Sequence, residues 1–171
     1  MRTLLPAFLG LVGLLGCSGA QGEPPAAPAP AALTGAAAVE VMKEAGEELV
    51  RQPEHDAARV EVQHLLVSFR GAVPKVTRSK EQAETLAAEL YARVVAGEDF
   101  DGLVREHTDD NYPGIYTMTA GPPADSGEYL RSEMFAAFGD TGWRLEVGEV
   151  GIALHDPAQS PFGWQIVKRT R

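Results

Sequence analysis

The chain has 171 residues, of which 15 are Lys or Arg and 24 are Asp or Glu, so its formal net charge is −9. This acidic excess argues against a nucleic-acid partner, because such binding depends on basic side chains that neutralise phosphates. It argues equally against electrostatic adhesion to anionic lipids. The single cysteine, Cys17, excludes a framework of intrachain disulfides.

Residues 1–16 have the pattern of a cleavable secretory signal, because the positive charge of Arg2 precedes an apolar run over residues 4–15. The run is shorter than the roughly 20 apolar residues that a membrane-spanning helix needs. The tetrad Leu-Leu-Gly-Cys that ends at Cys17 resembles the lipobox of bacterial lipoproteins, which predicts lipid attachment at this cysteine. An ordinary signal with an incidental cysteine is the alternative. Ser18 comes next, and the sorting rule for such lipoproteins then favours the outer membrane of the cell envelope, facing the periplasm.

Two segments separate this signal from the rest of the chain. Residues 17–35 are rich in Ala and Pro and poor in large apolar side chains, which predicts an extended tether. Residues 36–53 are rich in helix formers, and Val39, Met42 and Leu49 fall on one face of the predicted short helix. This helix either docks on the following domain or leads into it.

Residues 59–171 have the length of one compact domain. Alternation between positions 60 and 66 predicts a strand with two different faces. Ser79, followed by Gln82, forms a capping-box sequence that begins a helix, and Gly97 ends it. The remaining pattern predicts a helix at about 100–107, a Gly- and Pro-rich loop through 127, a short helix near 132–138, and strands at about 150–155 and 164–169. This order indicates an α+β fold with a small β-sheet and helices packed on it.

Six segments of this domain form an ordered series. They are 62–67 (VQHLLV), 75–83 (KVTRSKEQA), 95–103 (VAGEDFDGL), 108–110 (TDD), 145–150 (LEVGEV) and 162–167 (FGWQIV). In this order and spacing they resemble the parvulin-type peptidyl-prolyl isomerases. The resemblance implies the parvulin fold, catalysis of rotation about X-Pro bonds, and unfolded or proline-containing polypeptides as partners. Rotation about an amide breaks no bond, so no metal or cofactor is expected.

The resemblance also assigns roles to individual residues. Met134 and Phe138, which stand four positions apart as in the family, would line the slot for the proline ring, unless they are ordinary core side chains. Trp143 is expected in the core. His64 corresponds to the family's strand-one histidine, and Asp110 to its neighbour in a hydrogen-bonded catalytic cluster beneath the substrate. Asp110 could instead only terminate the preceding helix.

Several residues depart from the family's pattern. Gln165 stands where a second histidine is usual; its amide can still bond to His64 but cannot titrate. Phe162 replaces a small or hydroxyl residue, and Ile115 is the expected substitute for a leucine of the slot wall. The loop after the first strand carries too few basic residues for phosphate specificity.

Two functions therefore stay open for this domain. The first is an active isomerase that helps exported proteins to fold. The second is a catalytically weak parvulin-like chaperone or binding module for proline-containing segments, which the departures at Gln165 and Phe162 favour. An envelope scaffold without a substrate is a weaker third possibility, because nothing in the chain argues for it.

Overall fold

The computed structural model describes residues 32–171, so the predicted signal, Cys17 and most of the tether lie outside the described residues. The described elements, in chain order, are α1 Gly35–Arg51, β1 Arg59–Val67, α2 Lys80–Val95, α3 Phe100–His107, β2 Ile115–Thr119, β3 Glu128–Leu130, a 3₁₀ turn Arg131–Glu133, α4 Ala136–Arg144, β4 Val150–Ala153 and β5 Trp164–Arg169. This architecture confirms the predicted α+β fold. None of the helices in this described part is long and apolar enough to cross a membrane.

A five-stranded sheet in the order β3-β2-β1-β5-β4 forms the centre of the molecule. The middle strand, β1, pairs antiparallel with β2 on one side and with β5 on the other. Strands β4 and β5 are also antiparallel, whereas β2 and β3 run parallel. Side chains of β1 alternate between the two faces of the sheet, and both faces are covered, which is why β1 is buried along most of its length.

One face of the sheet carries α1, α2 and α3, and Leu65 and Ile166 point into this larger core. Helix α1 is docked here: the side chain of Met42 is fully buried against α2 and the sheet. Leu49 lies at the other end of α1 and is also buried, as the shared helix face predicted. The capping box of Ser79 with α2 is present, so this helix begins where its sequence predicted.

The opposite face carries α4 and a second core that includes Val62, Met118 and Trp143. Glycine at position 142 permits close packing of α4 on β1, because a Cβ there would lie 3.0 Å from Cγ1 of Val62. The burial of this helix face compensates for the low helix propensity of the glycines and the threonine in α4.

Two of the predicted elements are wrong in extent. The predicted loop through residue 127 contains β2, whose sequence Ile-Tyr-Thr-Met-Thr has the β-branched and aromatic residues typical of strands. The short helix predicted near 132–138 is divided: the 3₁₀ turn ends at Glu133, Met134 is extended, and α4 begins at Ala136 with Phe135 as its N-cap. Met134 and Phe138 therefore do not share one helix.

Candidate active site

The register of the sheet brings three distant side chains together on the α4 face. His64 of β1 lies opposite Val167, and Leu66 lies opposite Gln165, so His64 and Gln165 are diagonal neighbours on one face. Tyr116 of β2 lies opposite Val62 and is the diagonal neighbour of His64 on the other side. Strand pairing alone thus gathers residues that are up to 101 positions apart in the chain.

His64 is the centre of a buried hydrogen-bond network, and only 4% of its surface is exposed. Its Nδ1 lies 3.1 Å from Oε1 of Gln165, and its Nε2 lies 3.0 Å from Oδ2 of Asp110. The predicted cluster of His64, Asp110 and Gln165 is therefore assembled in the structure.

Ser160 and Gly163 determine which way the amide of Gln165 points. The hydroxyl of Ser160 donates to the carbonyl oxygen of Gly163 at 2.9 Å, because a carbonyl can only accept. The same hydroxyl oxygen accepts from Nε2 of Gln165 at 3.2 Å, which leaves Oε1 of Gln165 facing His64. Oε1 of Gln165 and the carboxylate of Asp110 are both acceptors, so the His64 ring lies between two hydrogen-bond acceptors.

Asp110 follows the end of α3 and receives a second hydrogen bond, from the hydroxyl of Tyr116 at 2.8 Å. The hydrogen bond from His64 is the largest cause that holds the pKa of Asp110 well below its usual range. Burial, reinforced by the bond to Asp110, raises the pKa of Tyr116 well above its usual range. At neutral pH Asp110 is therefore a carboxylate and Tyr116 a hydrogen-bond donor. Helix α3 has its C-cap at Thr108, so Asp110 does not cap it.

An open cavity of about 460 Å³ lies against this network. Its polar lining includes His64, Asp110 and Gln165, and its apolar lining includes Leu66, Ala72, Val73, Pro74, Tyr116, Met134, Phe135, Phe138 and Phe162. The ring of Phe138 is 3% exposed and its centroid lies 5.0 Å from that of His64. Phe138 belongs both to the second core and to the cavity lining, whereas Met134 is partly buried at the edge of this core.

Ile115 does not line this cavity, and half of its surface is exposed. Its β1 partner is Gln63, so its side chain points to the face of the sheet opposite to that of His64. Tyr116, one residue later, occupies the wall that was assigned to Ile115, and sequence reasoning missed it. The signal that could have found Tyr116 is strand parity: a residue that contacts His64 across two antiparallel strands must share its face. Trp143, by contrast, is in the core as expected and is 2% exposed.

Gly114 permits the close approach of the loop before β2 to β1. Its φ is +67°, and its carbonyl accepts the backbone N–H of His64 at 2.8 Å. A Cβ at this position would lie 2.5 Å from the carbonyl oxygen of His64. The backbone around the central histidine therefore requires glycine here.

Two arginines near the cavity, Arg78 and Arg70, are engaged within the protein. The guanidinium of Arg78 forms an ion pair with the carboxylate of Asp109 and also donates to the carbonyl of Ser68 at 2.9 Å. Arg70 donates to the carbonyl of Thr77. Within residues 32–171, no Lys or Arg lines the cavity, and no cluster of three or more His, Cys, Asp or Glu residues could hold a metal ion.

Comparisons with known proteins identify relatives of this chain. Chaperone SurA of Chromohalobacter salexigens is 34% identical over 110 residues, which cover 63% of this chain and 21% of the relative. Foldase protein PrsA of Geobacillus kaustophilus is 29% identical over 134 residues, which cover 78% of this chain and 39% of the relative. The matched part thus spans well under half the length of these relatives.

The fold is also found in a solved structure. Peptidyl-prolyl isomerase ESS1 from Candida albicans superposes with a TM-score of 0.52 at 19% identity, covering 77% of this chain and 74% of that one. This likeness supports the expected parvulin fold. A family model described as the PPIC-type PPIase domain matches residues 48–171, and the chain therefore belongs to the family of PPIC-type, or parvulin, peptidyl-prolyl isomerase domains.

Proposed function

We propose that this protein is a peptidyl-prolyl cis-trans isomerase that assists the folding of exported proteins. The observation that carries the proposal is the juxtaposition of an apolar slot with a buried, fully bonded histidine network in a domain of this family. The slot is formed by Met134 and Phe138, and the network is centred on His64, 5.0 Å from the Phe138 ring.

The reaction explains why these groups suffice. Rotation about an X-Pro amide crosses a barrier of about 18–20 kcal/mol because the twisted state loses C–N resonance. An enzyme must hold the ring, remove water from the amide and favour the twisted form over the planar one. In our proposal Met134 and Phe138 grip the proline ring, since both are apolar and line the cavity.

His64, Asp110 and Gln165 supply the catalytic polar surface. Asp110 and Gln165 hold the His64 ring in one orientation through both nitrogens, so the polar groups need no rearrangement when the amide twists. Tyr116 adds a donor to Asp110 and replaces the slot wall expected at Ile115. No step requires a nucleophile.

We further propose that the protein is an exported lipoprotein of the bacterial cell envelope, anchored through Cys17 to the outer membrane and facing the periplasm. The signal pattern of residues 1–16, the lipobox and Ser18 support this location. Relatives named foldase and chaperone support unfolded or proline-containing polypeptides as clients. More than one acyl chain at Cys17 would anchor the protein stably where a single chain would not.

Metabolic labelling tests the anchor. Growth with a fatty-acid analogue should label the wild-type protein, and Cys17→Ala should abolish both the label and membrane fractionation. Recovery of unlabelled, soluble wild-type protein from the envelope would overturn the anchor while leaving the isomerase proposal untouched.

The second candidate function is a binding module with little turnover, which Gln165 favours because it cannot titrate as a second histidine could. A protease-coupled isomerase assay with the full chain on a panel of X-Pro peptides separates the two functions. We expect rates above the uncatalysed reaction on several peptides, reduced by His64→Ala in a variant that circular dichroism shows to be folded. If the protein binds the peptides but accelerates isomerisation of none of them, its function is that of a binding module.

A further inference from the structure

Two exposed phenylalanine rings line the cavity but belong to neither core. Phe135 is 43% exposed and Phe162 is 42% exposed, although both line the cavity. In the described part of the chain, neither belongs to the core on either face of the sheet. Exposed apolar rings that rim a concave site are typical of a binding surface.

The rings are arranged as a preformed wall. Their centroids are 5.2 Å apart and their planes meet at 87°, the edge-to-face geometry that aromatic pairs prefer. Phe135 is fixed at the N-cap of α4, where its carbonyl accepts the N–H of Phe138. Phe162 precedes Gly163 at the entry to β5, where a Cβ on the glycine would lie 2.2 Å from the carbonyl of Val67. A wall held in place before binding loses little entropy when it is covered.

The wall is continuous with the proposed proline slot. Phe135 follows Met134 directly, and Phe162 lies three residues before Gln165. The cavity of about 460 Å³ is within the range of roughly 300–1,000 Å³ that holds ligands of drug size, so it has room for more than one proline ring. A neighbour of the proline in the same polypeptide could therefore cover the wall.

Charge around the cavity restricts this neighbour further. Asp109, Asp110 and Glu133 line the cavity, whereas the nearby Arg78 is paired with Asp109. An acidic or phosphorylated neighbour would meet these carboxylates, and no Lys or Arg of residues 32–171 lines the cavity. An aromatic or large aliphatic side chain would instead cover both rings.

We propose that Phe135 and Phe162 form a specificity subsite that selects an aromatic or large aliphatic residue beside the substrate proline and rejects an acidic one. This inference rests on the proposed isomerase function. It deepens that function by naming the substrate class: apolar, non-phosphorylated proline segments of the kind that an unfolded protein exposes.

The test uses the full chain and peptides that differ only in the residue before or after proline: Phe, Leu, Ala or Glu. We expect kcat/KM and affinity for the best Phe peptide to exceed those for the matched Ala peptide by about tenfold, with Glu the poorest. Phe135→Ala and Phe162→Ala should each reduce this Phe-to-Ala ratio toward one. The control Val147→Ala, at a 62% exposed position outside the cavity, should leave the ratio and both rates unchanged.

The outcomes separate the subsite from the isomerase function. Turnover of all peptides with no preference for Phe, or a preference that survives both phenylalanine variants, would overturn the subsite and leave the isomerase intact. If no peptide is turned over, the ratio of dissociation constants for the Phe and Ala peptides decides on the subsite, since binding does not require turnover. A ratio near one in the wild type would then reject it.

Discussion

Truncation of Met134 should weaken substrate binding far more than it weakens the fold. Met134 lines the cavity and is only partly buried in the free chain, so a bound proline ring would cover the rest of its side chain. A buried side chain of this size contributes about 1.5–3 kcal/mol. The part covered on binding then contributes about 1–2 kcal/mol, and Met134→Ala should raise Kd by about tenfold.

Met42 of α1 provides a matched control, because it is also a methionine but is fully buried against α2 and the sheet. Met42→Ala should cost about 2–5 kcal/mol of unfolding free energy, as buried Met→Ala substitutions do, and should leave Kd unchanged. Met134→Ala should lose less stability, since its side chain is only partly buried.

The assay combines urea unfolding, followed by circular dichroism, with calorimetric titration of one X-Pro peptide at a temperature where both variants are folded. Wild-type affinity in folded Met134→Ala, or an equal loss of affinity in Met42→Ala, would refute the assignment of the slot.

Three further predictions concern the network and the backbone around His64. The pKa of Asp110 is lower in the folded chain than in the unfolded chain, so the stabilising contribution of its carboxylate is present above about pH 4 and is lost as the pH falls below this value. The difference in unfolding free energy between wild type and Asp110→Asn should therefore shrink at low pH. A difference that stays constant with pH would contradict this. Gln165→His should keep the fold and a kcat/KM at or above that of the wild type. The reason is that a histidine can also accept from His64 and donate to the hydroxyl of Ser160, which Gln165 now contacts. A large fall in melting temperature would argue against this. Gly114→Ala should lower the unfolding free energy, measured in urea, by about 1–3 kcal/mol, because φ is positive there and a Cβ meets the His64 carbonyl. The control Gly121→Ala, where no atom lies within 4 Å of the added Cβ, should change this free energy by less than about 0.5 kcal/mol.

The helices could be predicted from the sequence because their signals are local. The capping box of Ser79 and Gln82 requires only four neighbouring residues, and it marks the start of α2 correctly. The predicted helix at about 100–107 is likewise present as α3, and its residues Phe100, Leu103 and Val104, spaced along one face, are all buried. In each case the interactions that decide the element lie within one or two turns of chain.

The walls of the candidate site could not be predicted in the same way. β2 is only five residues long and lies between turns rich in glycine and proline, so its alternation is too short to read. Unless the strand is recognised, the sequence does not show that Tyr116 points toward the face of His64 and Ile115 toward the opposite face. The role of Phe135 depends equally on where α4 begins, and tertiary packing sets that point.

Exchange NMR at equilibrium tests most directly whether this protein catalyses rotation about X-Pro bonds. A peptide with one X-Pro bond interconverts unaided over tens to hundreds of seconds, so its cis and trans resonances show no exchange within a mixing time of about one second. With a catalytic amount of the full chain we predict cis-trans exchange cross-peaks within this mixing time, weakened in folded His64→Ala. Peptide that binds, as shown by shifts of its resonances, but does not exchange at any protein concentration would contradict an isomerase and leave a binding module.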